Sequence, residues 1–280
     1  MTHERIQLWE EHPEAYLTTY INDESELIGM PPRKAMVVCP GGGYEWLSPR
    51  EAEPVAKKFF AEGFNVFVLN YSVYPNAGNY VPLIELSLAI TYVRENCAKY
   101  NIDPNYVFTI GFSAGGHLAA SSGTLWNCDA VRKALGIEDG KRLEGINRPT
   151  GTILCYPVIT AGKYAHEGSI IHVCGDVSEL TKEQRDEFSL EKQVNENTSP
   201  AFIWHTFSDQ LVPVNNSLLY MQALRDNNVP FEAHIFPYGP HGLSLGTIES
   251  AGSIKERLND HISCWFELAI RWIRDFDKIP

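Results

Sequence analysis

Asn105-Tyr-Val-Phe-Thr-Ile-Gly-Phe-Ser-Ala-Gly-Gly-His117 decides how this chain is read. The apolar run Val107 to Ile110, bounded upstream by Asp103-Pro104-Asn105, predicts a buried strand. Gly111-Phe112-Ser113-Ala114-Gly115 follows as a G-x-S-x-G match, and small residues (Ala119, Ala120, Ser121) predict a helix packed closely on a sheet. Strand, tight turn and helix are the context in which such a serine is a nucleophile held on a strained turn. Gly111 and Gly115 then remove side chains that would collide across the turn. The N–H of Ala114 opens the helix and points at a developing oxyanion. The plain alternative is a glycine-rich strand–helix turn with an incidental serine.

Working upstream, Ala35 to Cys39 is a short apolar run that predicts a buried strand. It leads into Pro40-Gly41-Gly42-Gly43-Tyr44-Glu45-Trp46, where backbone N–H groups can face a ligand. Gly42 and Gly43 are therefore the candidates for the other half of an oxyanion hole. Ser48-Pro49-Arg50-Glu51 has the form of a capping box with proline at the first helical position, opening a helix over Glu51 to Glu62. Phe64 to Leu69 predicts the next strand and Leu83 to Tyr100 the next helix. Near the N-terminus, among Trp9, Tyr16, Leu17, Tyr20, Ile21 and Leu27, the stretch Tyr16 to Ile21 suggests an antiparallel edge strand.

Downstream, Thr152 to Tyr156, Ala201 to Phe207 and Phe231 to Phe236 predict three more strands. Between the first two, residues 157–200 are polar and loop-rich, with weak helices at Leu180 to Phe188 and near Leu190. They read as a small insertion over the C-terminal edge of the sheet, shaping the site. A helix from Pro213 to about Arg225 and an amphipathic helix from Ile262 to Phe276 complete the chain. The alternation of strand and helix argues for an α/β protein with a mostly parallel sheet covered on both faces. The absence of a linker, repeat or low-complexity tract argues for one domain over 1–280.

A serine at its ordinary pKa needs a histidine base oriented by a carboxylate. Asp209 and His241 each sit in a loop directly after a predicted strand, which puts both at the same sheet edge as Ser113. Ser113, Asp209 and His241 are the candidate catalytic residues, in the chain order Ser, Asp, His. Asp176 is the rival acid, after the apolar-rich Ile170 to Cys174. His205 lies inside a strand and His117 one helical turn past the serine, so both read as structural, while His166 and His172 sit in the insertion. No metal-ligand spacing is present, and neither metal nor organic cofactor is called for.

Charge narrows the function further. With 23 basic and 35 acidic residues the net charge is −12, which argues against nucleic acid and anionic membrane partners. No apolar run approaches a membrane span and the N-terminus has no signal-peptide pattern, so the expected location is cytoplasmic. The six cysteines are scattered and read as reduced, mostly buried small hydrophobes.

Pro40-Gly-Gly-Gly-Tyr44, Gly111-Phe-Ser-Ala-Gly-Gly-His117, Ser208-Asp209 and Gly239-Pro-His-Gly242 together resemble the α/β-hydrolase superfamily. Within it the resemblance is to the acetyl esterase and acetylxylan esterase-like branch near the hormone-sensitive lipase group, over roughly residues 30–275. It implies an α/β-hydrolase fold with about eight strands and a serine esterase site. The chain departs from the lipase group at Pro40, where that group usually has histidine, and has little room for its N-terminal helical cap. These departures favour a short acyl group on a sugar over long-chain lipid. Tyr44, Trp46, Tyr71, Tyr74 and Tyr238 are then candidates to stack on sugar rings. The expected activity is hydrolysis of short-chain, chiefly acetyl, esters of carbohydrates or small alcohols, with a feruloyl esterase, an arylformamidase or a peptidase as hydrolase alternatives. A non-catalytic binding module of the same fold is the alternative from a different class.

Overall fold

The computed structural model describes residues 1–24, 29–175 and 177–279. Eight strands form one sheet: β1 (Arg5–Gln7), β2 (Tyr16–Tyr20), β3 (Arg33–Cys39), β4 (Asn65–Asn70), β5 (Ile102–Phe112), β6 (Thr152–Cys155), β7 (Ala201–Thr206) and β8 (Phe231–Phe236). Their order is β1-β2-β4-β3-β5-β6-β7-β8. The β1–β2 and β2–β4 pairs are antiparallel and every other pair is parallel. Tyr16–Tyr20 is therefore antiparallel as expected, but it is not the edge. The three-residue β1, which carries no apolar alternation, lies outside it.

The period of two along β3 divides the core between the faces of the sheet. Ala35, Val37 and Cys39 pack with Leu83, Leu86 and Ile90 of the helix Val81–Glu95. Met36 and Val38 pack on the opposite face with Phe59 of the helix Glu53–Ala61 and with Trp265, Phe266 and Ile273. A sheet buried on both sides explains why β3 and β4 read as continuous apolar runs.

Several boundaries differ from the sequence reading. Asp103-Pro104-Asn105 bulges between two paired stretches of β5, since Arg33 pairs with Ile102 while Ala35 pairs with Val107. The helix over Leu83 stops at Glu95 rather than Tyr100. The closing helix is broken at Cys264 into Asp260–Ser263 and Trp265–Arg274. Ile170 to Cys174, taken as a strand before Asp176, instead belongs largely to a helix, Glu167–Val173. Asp176 itself and Leu27 lie outside the described residues. In the insertion, Lys182–Glu187 is helical and begins with a true capping box, Thr181 with Gln184.

Ser48-Pro49-Arg50-Glu51 is not a capping box. Pro49–Glu51 makes a single 3-10 turn and the helix proper starts at Glu53. The Ser48 hydroxyl is buried without a partner. The Glu51 carboxylate instead turns inward and accepts from the Gly41 N–H and the Tyr156 hydroxyl. Of the cysteines, only Cys39 and Cys155 are fully buried; all six are free and Cys264 is exposed. Among the described residues no helix is long and apolar enough to cross a membrane.

Candidate active site

Parallel strands deliver their C-terminal ends to one edge, and the loops that leave that edge carry the site. Ser113 follows β5 with φ 54° and ψ −117°, a conformation costly for any residue with a Cβ. The turn is possible because its flanking glycines lack side chains. A Cβ on Gly111 would sit 1.9 Å from the Gly115 carbonyl oxygen, and one on Gly115 would sit 2.2 Å from that of Cys39. The Ser113 N–H donates to the Cys155 carbonyl of β6, and its own carbonyl accepts from Val158. The end of β6 and the segment just after it thus hold both backbone groups of the strained residue.

Asp209 leaves β7 and His241 leaves β8. The His241 Nδ1–H donates to Asp209 Oδ2 at 2.7 Å, and the Ser113 hydroxyl donates to His241 Nε2 at 2.8 Å. Asp209 is 4% exposed. Its Oδ1 accepts the N–H groups of Leu211 and Val212, each at 2.9 Å. Burial alone would raise its pKa; hydrogen bonds from His205 and His241 outweigh that and hold the carboxyl well below the usual range. A permanently charged acceptor there fixes the imidazole tautomer and favours its cation.

His205 supports this arrangement from beneath. It is fully buried, donates from Nε2 to the Val212 carbonyl at 2.9 Å, accepts from the Ser217 hydroxyl at Nδ1, and approaches Asp209 Oδ2 at 3.4 Å. His117 is buried between the Tyr44 hydroxyl and the Phe188 carbonyl. Burial lowers its pKa to about 4, so it stays neutral. Both histidines have the structural placement the sequence suggested.

The glycine loop lies opposite the serine. The Gly41 N–H is taken by Glu51 Oε2 at 3.0 Å. The N–H groups of Gly42, Gly43 and Ala114 have no acceptor among the described residues. Gly42, Gly43, Ser113 and His241 line one cavity of about 300 Å³, so the glycine loop and the serine share it.

Of the aromatics expected to contact sugar, only Trp46 lines this cavity. Tyr44 is 1% exposed, its hydroxyl occupied by His117, and it packs in the core. Tyr71 is also buried and donates to the Pro40 carbonyl. Both rings support the glycine loop from below, which is where their apolar area is best buried. Tyr74 is exposed against His172, and Tyr238 stacks on His261; neither lines the cavity.

Sequence reasoning missed the residues that join the two halves. Glu51 Oε1 accepts from the Tyr156 hydroxyl at 2.6 Å, and that hydroxyl accepts from the Ser244 N–H at 2.9 Å. The Tyr156 ring meets His241 edge-on at 5.0 Å. Arg50 donates to the Gly242 carbonyl at 2.8 Å. The turn at 49–51 therefore ties the glycine loop to the histidine loop. No local pattern announces this, since the partners are far apart in sequence. His172 donates from Nδ1 to the Gly43 carbonyl at 2.9 Å.

The BD-FAE family model matches residues 28–224, which carry the glycine loop, the serine turn and the Asp209 loop. The chain belongs to the BD-FAE family. It is an α/β-hydrolase of the acetylxylan esterase-like branch, with the fold expected of that superfamily. Among curated relatives, it is 40% identical over 220 residues to an endo-1,4-beta-xylanase B of Butyrivibrio fibrisolvens, matching 78% of this chain and 33% of that protein. It is 31% identical over 221 residues to an acetylxylan esterase of Xylanibacter ruminicola, matching 78% of this chain and 42% of that protein. The chain thus spans well under half the length of these relatives. Among solved structures, an acetyl ester-xyloside bifunctional hydrolase from Caldicellulosiruptor lactoaceticus superposes with a TM-score of 0.81 at 34% identity, covering 99% of this chain and 97% of that one. A carboxylesterase from Lactobacillus plantarum superposes at 0.82 with 27% identity, covering 100% and 99%.

Proposed function

We propose that the protein is a serine carboxylesterase that hydrolyses short-chain esters, acetyl foremost, of carbohydrates or small alcohols. The observation that carries this reading is the chain of hydrogen bonds from Asp209 through His241 to Ser113, at a cavity lined by backbone N–H groups that lack acceptors. The names of the xylan-related relatives support the carbohydrate, and a cavity of about 300 Å³ suits a small acyl group.

In this reading His241 Nε2 takes the Ser113 proton as Oγ attacks the ester carbonyl. The negative oxygen is received by the N–H groups of Gly42, Gly43 and Ala114, each donor typically worth a factor of about 10²–10³ in rate. His241 then gives its proton to the departing alcohol, leaving an acyl-Ser113. Water, deprotonated by His241, attacks the acyl carbon and the carboxylic acid leaves with Ser113 restored. Asp209 stays ionised throughout.

The test is hydrolysis of p-nitrophenyl esters from acetate to octanoate by wild type and Ser113→Ala. A steep preference for acetate, lost by at least about 10⁴-fold in the variant, is the expected result. Equal activity in both proteins would remove Ser113 as nucleophile. Activity in neither would shift the reading to a formamidase or a non-catalytic binding protein.

A further inference from the structure

His166 has no role in the steps above, yet it lines the same cavity as Ser113 and His241. It lies in the insertion, at the N-terminal boundary of the helix Glu167–Val173. Its side chain caps that helix: the Ser169 N–H donates to His166 Nδ1 at 3.3 Å, and the fully buried Ser169 hydroxyl lies 2.8 Å from the same nitrogen. A nitrogen that accepts a backbone N–H carries no proton, so the neutral ring must carry its proton on Nε2. That Nε2–H has no acceptor among the described residues. The imidazole is therefore a fixed donor on a residue that lines the cavity.

Its position selects the part of the substrate it meets. His166 and His241 line the same cavity. In a serine mechanism the leaving alcohol lies against His241 in that cavity, because His241 must protonate its oxygen, and an acetyl group offers a further donor no polar atom beyond the carbonyl oxygen already met by the backbone N–H groups. Burial, ahead of the nearby His241, lowers the His166 pKa. That direction agrees with the cap, which needs an unprotonated Nδ1 to accept the Ser169 N–H.

We infer that His166 is a specificity-determining residue that donates from Nε2 to a hydroxyl oxygen beside the scissile ester, selecting polyol esters over esters of simple alcohols. This rests on the esterase reading above and names the chemical feature of the alcohol that the site selects. A neutral hydrogen bond of this kind corresponds to about a three- to ten-fold preference.

The test compares glycerol monoacetate, which has a free hydroxyl beside the ester, with propyl acetate, which has none. Wild type, His166→Asn and His166→Ala are assayed as full chains. Asparagine is a good helix cap but is too short to present the same donor, so His166→Asn retains the fold. The expected result is that wild type prefers the glycerol ester and that both variants lose this preference through a higher KM, with propyl acetate turnover unchanged. A preference unchanged in His166→Asn, or an equal loss on both esters, overturns the proposal. Acetylated xylo-oligosaccharides are assayed in parallel. If wild type ignores them while the glycerol preference still depends on His166, the carbohydrate reading falls and the donor role stands. No turnover of any ester removes both.

Discussion

Glu51 offers the sharpest test of how the site is held. Its carboxylate is almost fully buried and accepts two hydrogen bonds, from the Gly41 N–H at 3.0 Å and the Tyr156 hydroxyl at 2.6 Å. Replacing it with alanine strips both donors of their acceptor inside the protein. Each buried donor left unsatisfied costs about 1–3 kcal/mol, so Glu51→Ala is expected to lose roughly 2–6 kcal/mol of stability in urea titration. The consequence for catalysis follows from sequence adjacency. Gly41 anchors the loop whose next two N–H groups form the proposed oxyanion hole, and losing one such donor costs about 10²–10³ in kcat. A loop loosened rather than removed should lose about 10- to 100-fold in kcat on p-nitrophenyl acetate, with KM changing only a few-fold. Glu51→Gln keeps the volume, can still accept from Gly41 and can donate to the Tyr156 oxygen. It should stay within about ten-fold in kcat and about 2 kcal/mol in stability. If Glu51→Ala folds and keeps kcat within two-fold of wild type, Glu51 does not position the oxyanion loop, and the reasoning fails whatever its stability.

Asp209→Asn should lower kcat on the order of 10⁴-fold while leaving the fold intact, because the amide no longer enforces the imidazole tautomer; a loss below ten-fold would exclude Asp209 as the acid. Tyr44→Phe should cost about 1–2 kcal/mol by stranding His117 Nδ1, with no change in KM for an acetylated sugar; a several-fold rise in KM would return Tyr44 to the substrate. Glu85 is fully buried and burial lifts its pKa to about 7, although the Ser72 N–H and hydroxyl pull it down. A carboxyl raised above its unfolded value near 4.5 binds its proton more tightly when folded. Its stabilising contribution is therefore present at low pH and is lost as pH rises from about 4.5 through 7, by about 3 kcal/mol. Asp209 has the opposite sign, but its loss begins only as pH falls below its ordinary value of 3.8. Stability of Glu85→Gln minus that of wild type should thus grow between pH 5 and 8; a flat difference would refute the assignment.

The order of strands and helices was legible because each signal is local. A buried strand must be apolar on both faces, and β3, β4 and the end of β5 are short apolar runs for that reason. The serine turn was legible because backbone collisions at Gly111 and Gly115 forbid other residues there. Asp209 and His241 could be named because each follows a strand, and a parallel sheet brings strand ends together. In contrast, β1 is three residues of mixed polarity that pair only because β2 offers an open edge. Ile170 to Cys174 misled because a short apolar run fits a strand or a buried helix equally well.

Sequence by itself determined the fold class and which residues are the candidates for nucleophile, base and acid, since those depend on residue type and nearest neighbours along the chain. Tertiary structure alone decided what each remaining polar group does. Glu51 reaches Tyr156 across 105 residues, and Tyr44 spends its hydroxyl on His117 across 73. His166 takes its tautomer from Ser169 three residues away but its place in the cavity that Ser113 lines from the fold. The physical reason is that a buried polar group must find a partner in three dimensions, and a glutamate or tyrosine carries no local mark of which partner burial will bring.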